Sequence, residues 1–221
     1  MVEAWEYVIR YPDKLATWTL AHIQITLIAV GIAIILGVTI GVFITGKGRQ
    51  NIADTVLYLA EIAMTIPSLA LFGLLMVILN FLGLTTIGFL PAIIALIIYA
   101  QLPILRNTYT AIKAVDPAMI EAGKGMGMSE RQLLFRVKLP LAVPVIMAGL
   151  RNAIVLTIAI AAIASLIGSG GLGVPIFRGL RNARMDLIIV GGVSVAILGL
   201  AADGFMWLVE RWVTPRGLRT R

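Results

Sequence analysis

Two stretches of this chain, 62–105 and 152–177, contain no Asp, Glu, Lys or Arg. A third, 139–150, is separated from the second only by Arg151. A helix crossing a bilayer needs about 20 consecutive, predominantly apolar residues, and runs of this length supply several. Only 13% of residues are charged, against about a quarter in soluble domains. The chain therefore reads as an all-α polytopic membrane protein. Its net charge of +7 fits positive loops flanking the spans. No compact basic, aromatic-interleaved domain is present, which argues against nucleic acid as a partner. Without cysteine and with the single histidine His22, disulfides, thiolate chemistry and a histidine-cluster metal site are excluded.

The apolar pattern predicts five spans at about 20–45, 53–82, 88–112, 139–167 and 187–210, within one domain over 1–221. Pro67 predicts a kink in the second, because proline removes a backbone donor. Thr65 and Ser68 are candidates to satisfy the freed carbonyls, and two shorter helices are the alternative. The first apolar run is too long for a signal-peptide core, so retention of the N-terminus is expected. Lys47 and Arg49 follow the first span, the loop after the third is basic, and Arg211, Arg216, Arg219 and Arg221 lie at the C-terminal end. The positive-inside rule then places the N-terminus outside and the C-terminus in the cytoplasm, with Arg178, Arg181 and Arg184 an external exception.

Between the third and fourth spans lies a polar island, with an insert predicted over 116–138. Asp116-Pro117 predicts a helix start, an N-cap followed by proline at the first helical position, running to about Lys124. Gly125 and Gly127 predict a sharp turn. Ser129 and Gln132 fit a capping box for a second short helix ending near Val137, with Pro140 at the entry to the fourth span. Ala122, Gly123, Gly125 and Gly127 leave one face almost bare, while Met119, Met126 and Phe135 offer apolar anchors. Such a helix suits docking into a groove of another protein.

Glu121-Ala122-Gly123, then Gly127, Val137 and Leu139-Pro140, resembles the cytoplasmic loop motif of permease subunits of binding-protein-dependent ABC importers. The family usually has Ala at the position of Gly123 and Ile at that of Val137. Segments 65–73, 102–112, 139–151 and 165–173 resemble the osmoprotectant branch, which imports glycine betaine, choline, carnitine and related quaternary amines. The resemblance covers about 20–210. It implies a five-span permease core paired with a second half, identical or paralogous. It also implies that the insert is a coupling helix seated in a cytoplasmic ATPase subunit, with ATP and Mg on that partner and none in this chain. Substrate would arrive on a soluble external binding protein, in a bacterial or archaeal inner membrane. Glu121 is then the expected polar contact, Ala122 and Gly123 permit close approach, Gly127 makes the turn, and Leu139 and Pro140 relay motion to the span.

Glu61, Arg151 and Asp203 fall inside predicted spans, where charge is costly unless paired or hydrated. An Arg151–Glu61 or Arg151–Asp203 bridge, a pathway lining and a proton relay all remain open. The run 168–173 is glycine-rich, but no Lys-Ser/Thr pair ends it and no strand precedes it, which rejects a nucleotide loop. By resemblance it is an external turn or short re-entrant segment, with Arg178, Arg181 and Arg184 as candidates for docking the binding protein. Trp5, Trp18, Trp207 and Trp212 sit where interfacial anchors belong, whereas Tyr99, Tyr109 and Phe72 are candidates to line a pathway. No Walker motif is present, so the chain is expected to be a non-catalytic subunit. An importer of another small polar solute, such as an amino acid, is the nearest alternative. An ion-coupled secondary transporter is less favoured, since no internal repeat is visible.

Overall fold

The computed structural model describes residues 2–214. Arg216, Arg219 and Arg221 lie outside the described residues. All regular structure among the described residues is helical. A short helix α1 (Val2–Arg10) leads into α2 (Pro12–Ile44), which begins well before the apolar run predicted from residue 20. Pro12 explains the early start, since its fixed φ suits the first helical turn. The hydroxyls of Thr17 and Thr19 donate to carbonyls four residues back and so do not compete with the helix.

The predicted second span is two helices, α3 (Gln50–Thr65) and α4 (Ser68–Phe81), bent by 105°. Proline pushes the residue before it out of the helical region, and Ile66 adopts φ −68°, ψ 124°. The carbonyl of Ile66 accepts from the Tyr99 hydroxyl of α5 (Phe89–Lys113). Thr65 caps only the Ile62 carbonyl, at 2.7 Å. The partner of the break is therefore a tertiary one, not the adjacent Thr65–Ser68 pair expected.

Helix α6 (Pro117–Gly125) is followed by α7 (Glu130–Leu133), a π-helical stretch (Leu134–Lys138) and α8 (Leu139–Ala164). The second arm of the polar insert does not end near Val137. It continues into the fourth span as one helical body, Glu130–Ile167. Pro140 lacks an N–H, and its ring would crowd the carbonyl four residues earlier. The wider turn, with Leu139 N–H bonding to Leu134 O, carries the chain through this position without a break. A 3₁₀ turn (Ser165–Ile167), α9 (Gly173–Arg181) and α10 (Met185–Val213) complete the order.

Helices α2, α5 and α8 pack against one another at the centre. Ala29, Ala33, Ala92, Ala95, Ala100, Ala153 and Ala161 lie fully or almost fully buried along these contacts. Small side chains let backbones approach closely, which is how helices associate where lipid removes the hydrophobic incentive. Phe72 and Tyr99 belong to this core rather than to any open lining. The broad outward surface is apolar, with Leu20, Ile35, Val77, Phe81, Leu200 and Trp212 exposed, as a lipid-facing exterior requires.

Candidate coupling surface, intramembrane charges and glycine-rich turn

The polar insert is a tight hairpin between α6 and α7. The Asp116 carboxylate caps α6 by accepting from Ala118 N–H at 2.8 Å. Gly127, at φ +76°, ends it. Two bonds close the turn, from Gly127 N–H to Lys124 O at 2.9 Å and from Met128 N–H to Gly123 O at 3.1 Å. This Schellman pattern needs a left-handed residue after the C-cap, which glycine supplies at least steric cost. Gly125, predicted to share the turn, is instead the last residue of α6. Ser129 and Gln132 form the reciprocal capping box, with Ser129 N–H donating to Gln132 Oε1 at 2.8 Å.

Glu121 and Ala122 are exposed on α6, with Met119 and Met126 exposed nearby. Gly123 is not part of this outward face. It is buried against α7, where an added Cβ would lie 2.5 Å from Leu133 Cδ2. The bare Ala-Gly pair therefore splits into one residue facing outward and one packing the hairpin. Leu139 and Pro140 are half-buried at the foot of α8. Lys47, just beyond α2, forms a 2.5 Å ion pair with Glu130 and ties the hairpin to the first span.

Inside the membrane region the charges sort into two groups. Arg151 donates through Nε to Asp203 Oδ1 at 2.9 Å and through Nη2 to Oδ2 at 2.8 Å, a two-pronged contact from α8 to α10. Its Nη1 reaches Glu210 Oε2 at 3.2 Å. Of the two bridges left open by sequence, only the one to Asp203 forms. Glu61 instead pairs with Arg106 of α5. Arg106 and Glu210 were missed by sequence reasoning because each lies in the last turns of its predicted span and reads as an end charge. At the start of α3, Tyr109 O–H donates to Gln50 Oε1 at 3.0 Å, so α3 and α5 share a polar seam.

The turn after α8 is organised by His22, which as the single histidine of the chain offers no histidine-cluster metal site. His22 of α2 is fully buried. Its Nδ1 accepts from the Leu172 backbone N–H at 3.1 Å, and its Nε2 lies 3.0 Å from Ile158 O of α8. A backbone N–H can only donate, so Nδ1 is unprotonated and Nε2 carries the proton given to Ile158. The imidazole is neutral and clasps the 168–172 turn to two spans. Gly171, at φ +87°, allows this approach, since a Cβ there would sit 2.9 Å from Nδ1. Gly88 N–H also donates to Ile167 O at 2.7 Å, joining the 82–88 loop to the same turn. Arg178, Arg181 and Arg184 are all exposed. They are not one free patch: Arg184 pairs with Asp186, which raises its pKa further, and Arg178 lies over the Trp18 ring. Among the described residues no group of three His, Cys, Asp or Glu is placed to hold a metal ion.

The structure is thus a bundle of apolar, membrane-crossing helices with a broken second span and a capped hairpin that runs directly into a span. The chain belongs to the family described as the inner membrane component of binding-protein-dependent transport systems, whose model matches residues 33–215. It is a multi-pass, non-catalytic ABC importer subunit whose ATPase is a separate chain. It is 39% identical over 213 residues to "Osmoprotectant import permease protein OsmW" of Salmonella typhimurium, covering 96% of this chain and 98% of that one. It is 43% identical over 198 residues to "Glycine betaine/carnitine/choline transport system permease protein OpuCB" of Bacillus subtilis, covering 90% and 88%. Among solved structures, the MetNI methionine ABC transporter in an inward-facing conformation matches with a TM-score of 0.80 at 22% identity, over 93% of this chain and 99% of that one. A bacterial alginate ABC transporter matches at 0.69 and 16% identity, over 91% and 80%. At such identities these structures establish the fold alone.

Proposed function

We propose that this chain is the permease subunit of an ATP-driven importer for quaternary-amine osmoprotectants such as glycine betaine, choline or carnitine. The observation carrying the substrate class is the identity of 39–43%, over nine-tenths or more of the chain, to relatives whose names specify these solutes. The chain forms half of the pathway and pairs with a second half, identical or paralogous. Its N-terminus lies outside and its C-terminus in the cytoplasm, which the distribution of Lys and Arg supports.

The α6–α7 hairpin, within 116–138, seats in a cytoplasmic ATPase that carries the ATP and Mg. Glu121 and Ala122 make the contact, Gly123 and Gly127 hold the hairpin's shape, and Leu139 and Pro140 transmit its motion to α8. Continuity of α7 with α8 supports this coupling, because a displacement at Glu130 moves the foot of the span directly. Glu61 and Arg106, both more than a third exposed at membrane depth, belong on the cytoplasmic part of the pathway or its dimer face, since lipid would not tolerate an ion pair so exposed. Externally, Arg181 with Arg178 meets an acidic surface of the binding protein. Copurification with the ATPase tests the contact. Glu121→Arg with Ala122→Arg should abolish it while leaving the folded permease intact, and retention of the ATPase would reject the hairpin as its seat.

A further inference from the structure

Beyond the transport reading, the structure assigns an anionic phospholipid site to the cleft between the cytoplasmic end of α2 and the α7–α8 helix. The cleft holds about 500 Å³. It lies where both apolar runs end, after Ile44 in α2 and before Leu139 in α8, which is the level of the lipid headgroups. Its rim carries Lys47, Arg49, Arg131 and Lys138 against the single carboxylate of Glu130. Val42, Phe43 and Leu134 form an apolar wall below that rim.

This combination selects a phosphate attached to acyl chains. Basic pockets between membrane helices on the cytoplasmic side recognise anionic headgroups, each cation contributing about 1 kcal/mol, or about fivefold in affinity. Arg49 is preorganised for such a role: its Nη1 donates to Phe43 O at 2.7 Å and its guanidinium lies 3.7 Å from the Phe43 ring centroid. Lys47 is held at the mouth by Glu130 with most of its side chain exposed. A soluble phosphate would use the rim and leave the apolar wall in water, so the occupant is a lipid. Glu130, Arg131, Leu134 and Lys138 line it from the arm of the hairpin that leads into α8, and none of the lining residues comes from α6, whose Glu121–Ala122 face makes the proposed ATPase contact. Lipid bound there would brace α7 against α2.

The inference rests on the cytoplasmic placement of the hairpin, and its test uses no substrate. The purified permease–ATPase complex in detergent is titrated with phosphatidylglycerol, phosphatidylcholine or glycerol phosphate, and bound lipid is read by native mass spectrometry. Phosphatidylglycerol should bind well above the other two. Lys47→Gln with Arg131→Gln and Lys138→Gln should weaken it about a hundredfold, from three cations. The charge-preserving Lys47→Arg with Lys138→Arg should bind normally and guards against misfolding. Glu130→Gln gives the sign test, because removing the lone carboxylate should tighten phosphatidylglycerol binding several-fold. Four results would each overturn the site: equal binding of phosphatidylcholine, equal binding of glycerol phosphate, unchanged binding in the triple variant, or weaker binding in Glu130→Gln. Loss of the ATPase from the triple variant with its lipid retained would assign the cleft to the protein partner instead.

Discussion

Replacing His22 isolates the clasp on the 168–172 turn. Phenylalanine keeps a ring of similar size but offers no acceptor to Leu172 N–H, which is fully buried beside it. A buried donor left unmatched costs about 1–3 kcal/mol, and loss of the bond to Ile158 adds about 1 kcal/mol. Asparagine is the informative comparison, since its side-chain oxygen stands close to where Nδ1 does and can still accept from Leu172. It forfeits the Ile158 bond and some packing volume, for about 1–2 kcal/mol. The asparagine variant should therefore be the milder, although it changes the shape more. For a chain of 221 residues, 1 kcal/mol corresponds to about 2–4 °C in the melting midpoint. His22→Phe should fall about 4–16 °C below wild type in detergent, read by size exclusion after graded heating. The Leu172 amide should exchange faster in His22→Phe than in His22→Asn. If phenylalanine matches wild type, or asparagine melts lower than phenylalanine, ring volume rather than the hydrogen bond holds the turn.

Other substitutions test the remaining contacts. Arg151→Asp and Asp203→Arg should each reduce assembled protein, and combining them should recover part of it, with a coupling of about 1–3 kcal/mol. The pairing of Arg151→Glu with Glu61→Arg should recover nothing, and rescue there would contradict the observed pairing. Gly123→Val should separate α6 from Leu133 and reduce ATPase copurification, whereas Gly123→Ala should cost far less because the Leu133 side chain can turn away. Tyr99→Phe should leave the Ile66 carbonyl without its partner at the 105° break and lower the melting midpoint by about 2–6 °C. An unchanged melt would show that the break is held by packing alone.

The parts legible in sequence are those governed by neighbours along the chain. Asp116-Pro117 and the Ser129–Gln132 box set helix starts through bonds spanning a few residues, and the apolar runs located the long helices. What escaped depends on distant partners. Pro67 announced a kink, but its angle and the Tyr99 hydroxyl that meets the freed carbonyl come from packing against α5. Pro140 read as a boundary because proline usually ends a helix, and the π turn that carries the chain past it leaves no local signature. His22 read only as a single histidine with no cluster to hold a metal. Its two partners stand 136 and 150 residues away. The small residues at 122 and 123 could not reveal which one faces outward until α7 was placed.

In the proposed mechanism a partner's ATP hydrolysis drives quaternary-amine import through this chain, transmitted by the α6–α7 hairpin. The direct measurement is uptake of labelled glycine betaine, choline and carnitine into proteoliposomes holding the permease, its ATPase and its binding protein. Uptake of at least one of these amines should require ATP and disappear in Glu121→Arg with Ala122→Arg. Uptake that persists without ATP, or that is seen for amino acids and for none of the three amines, would contradict it.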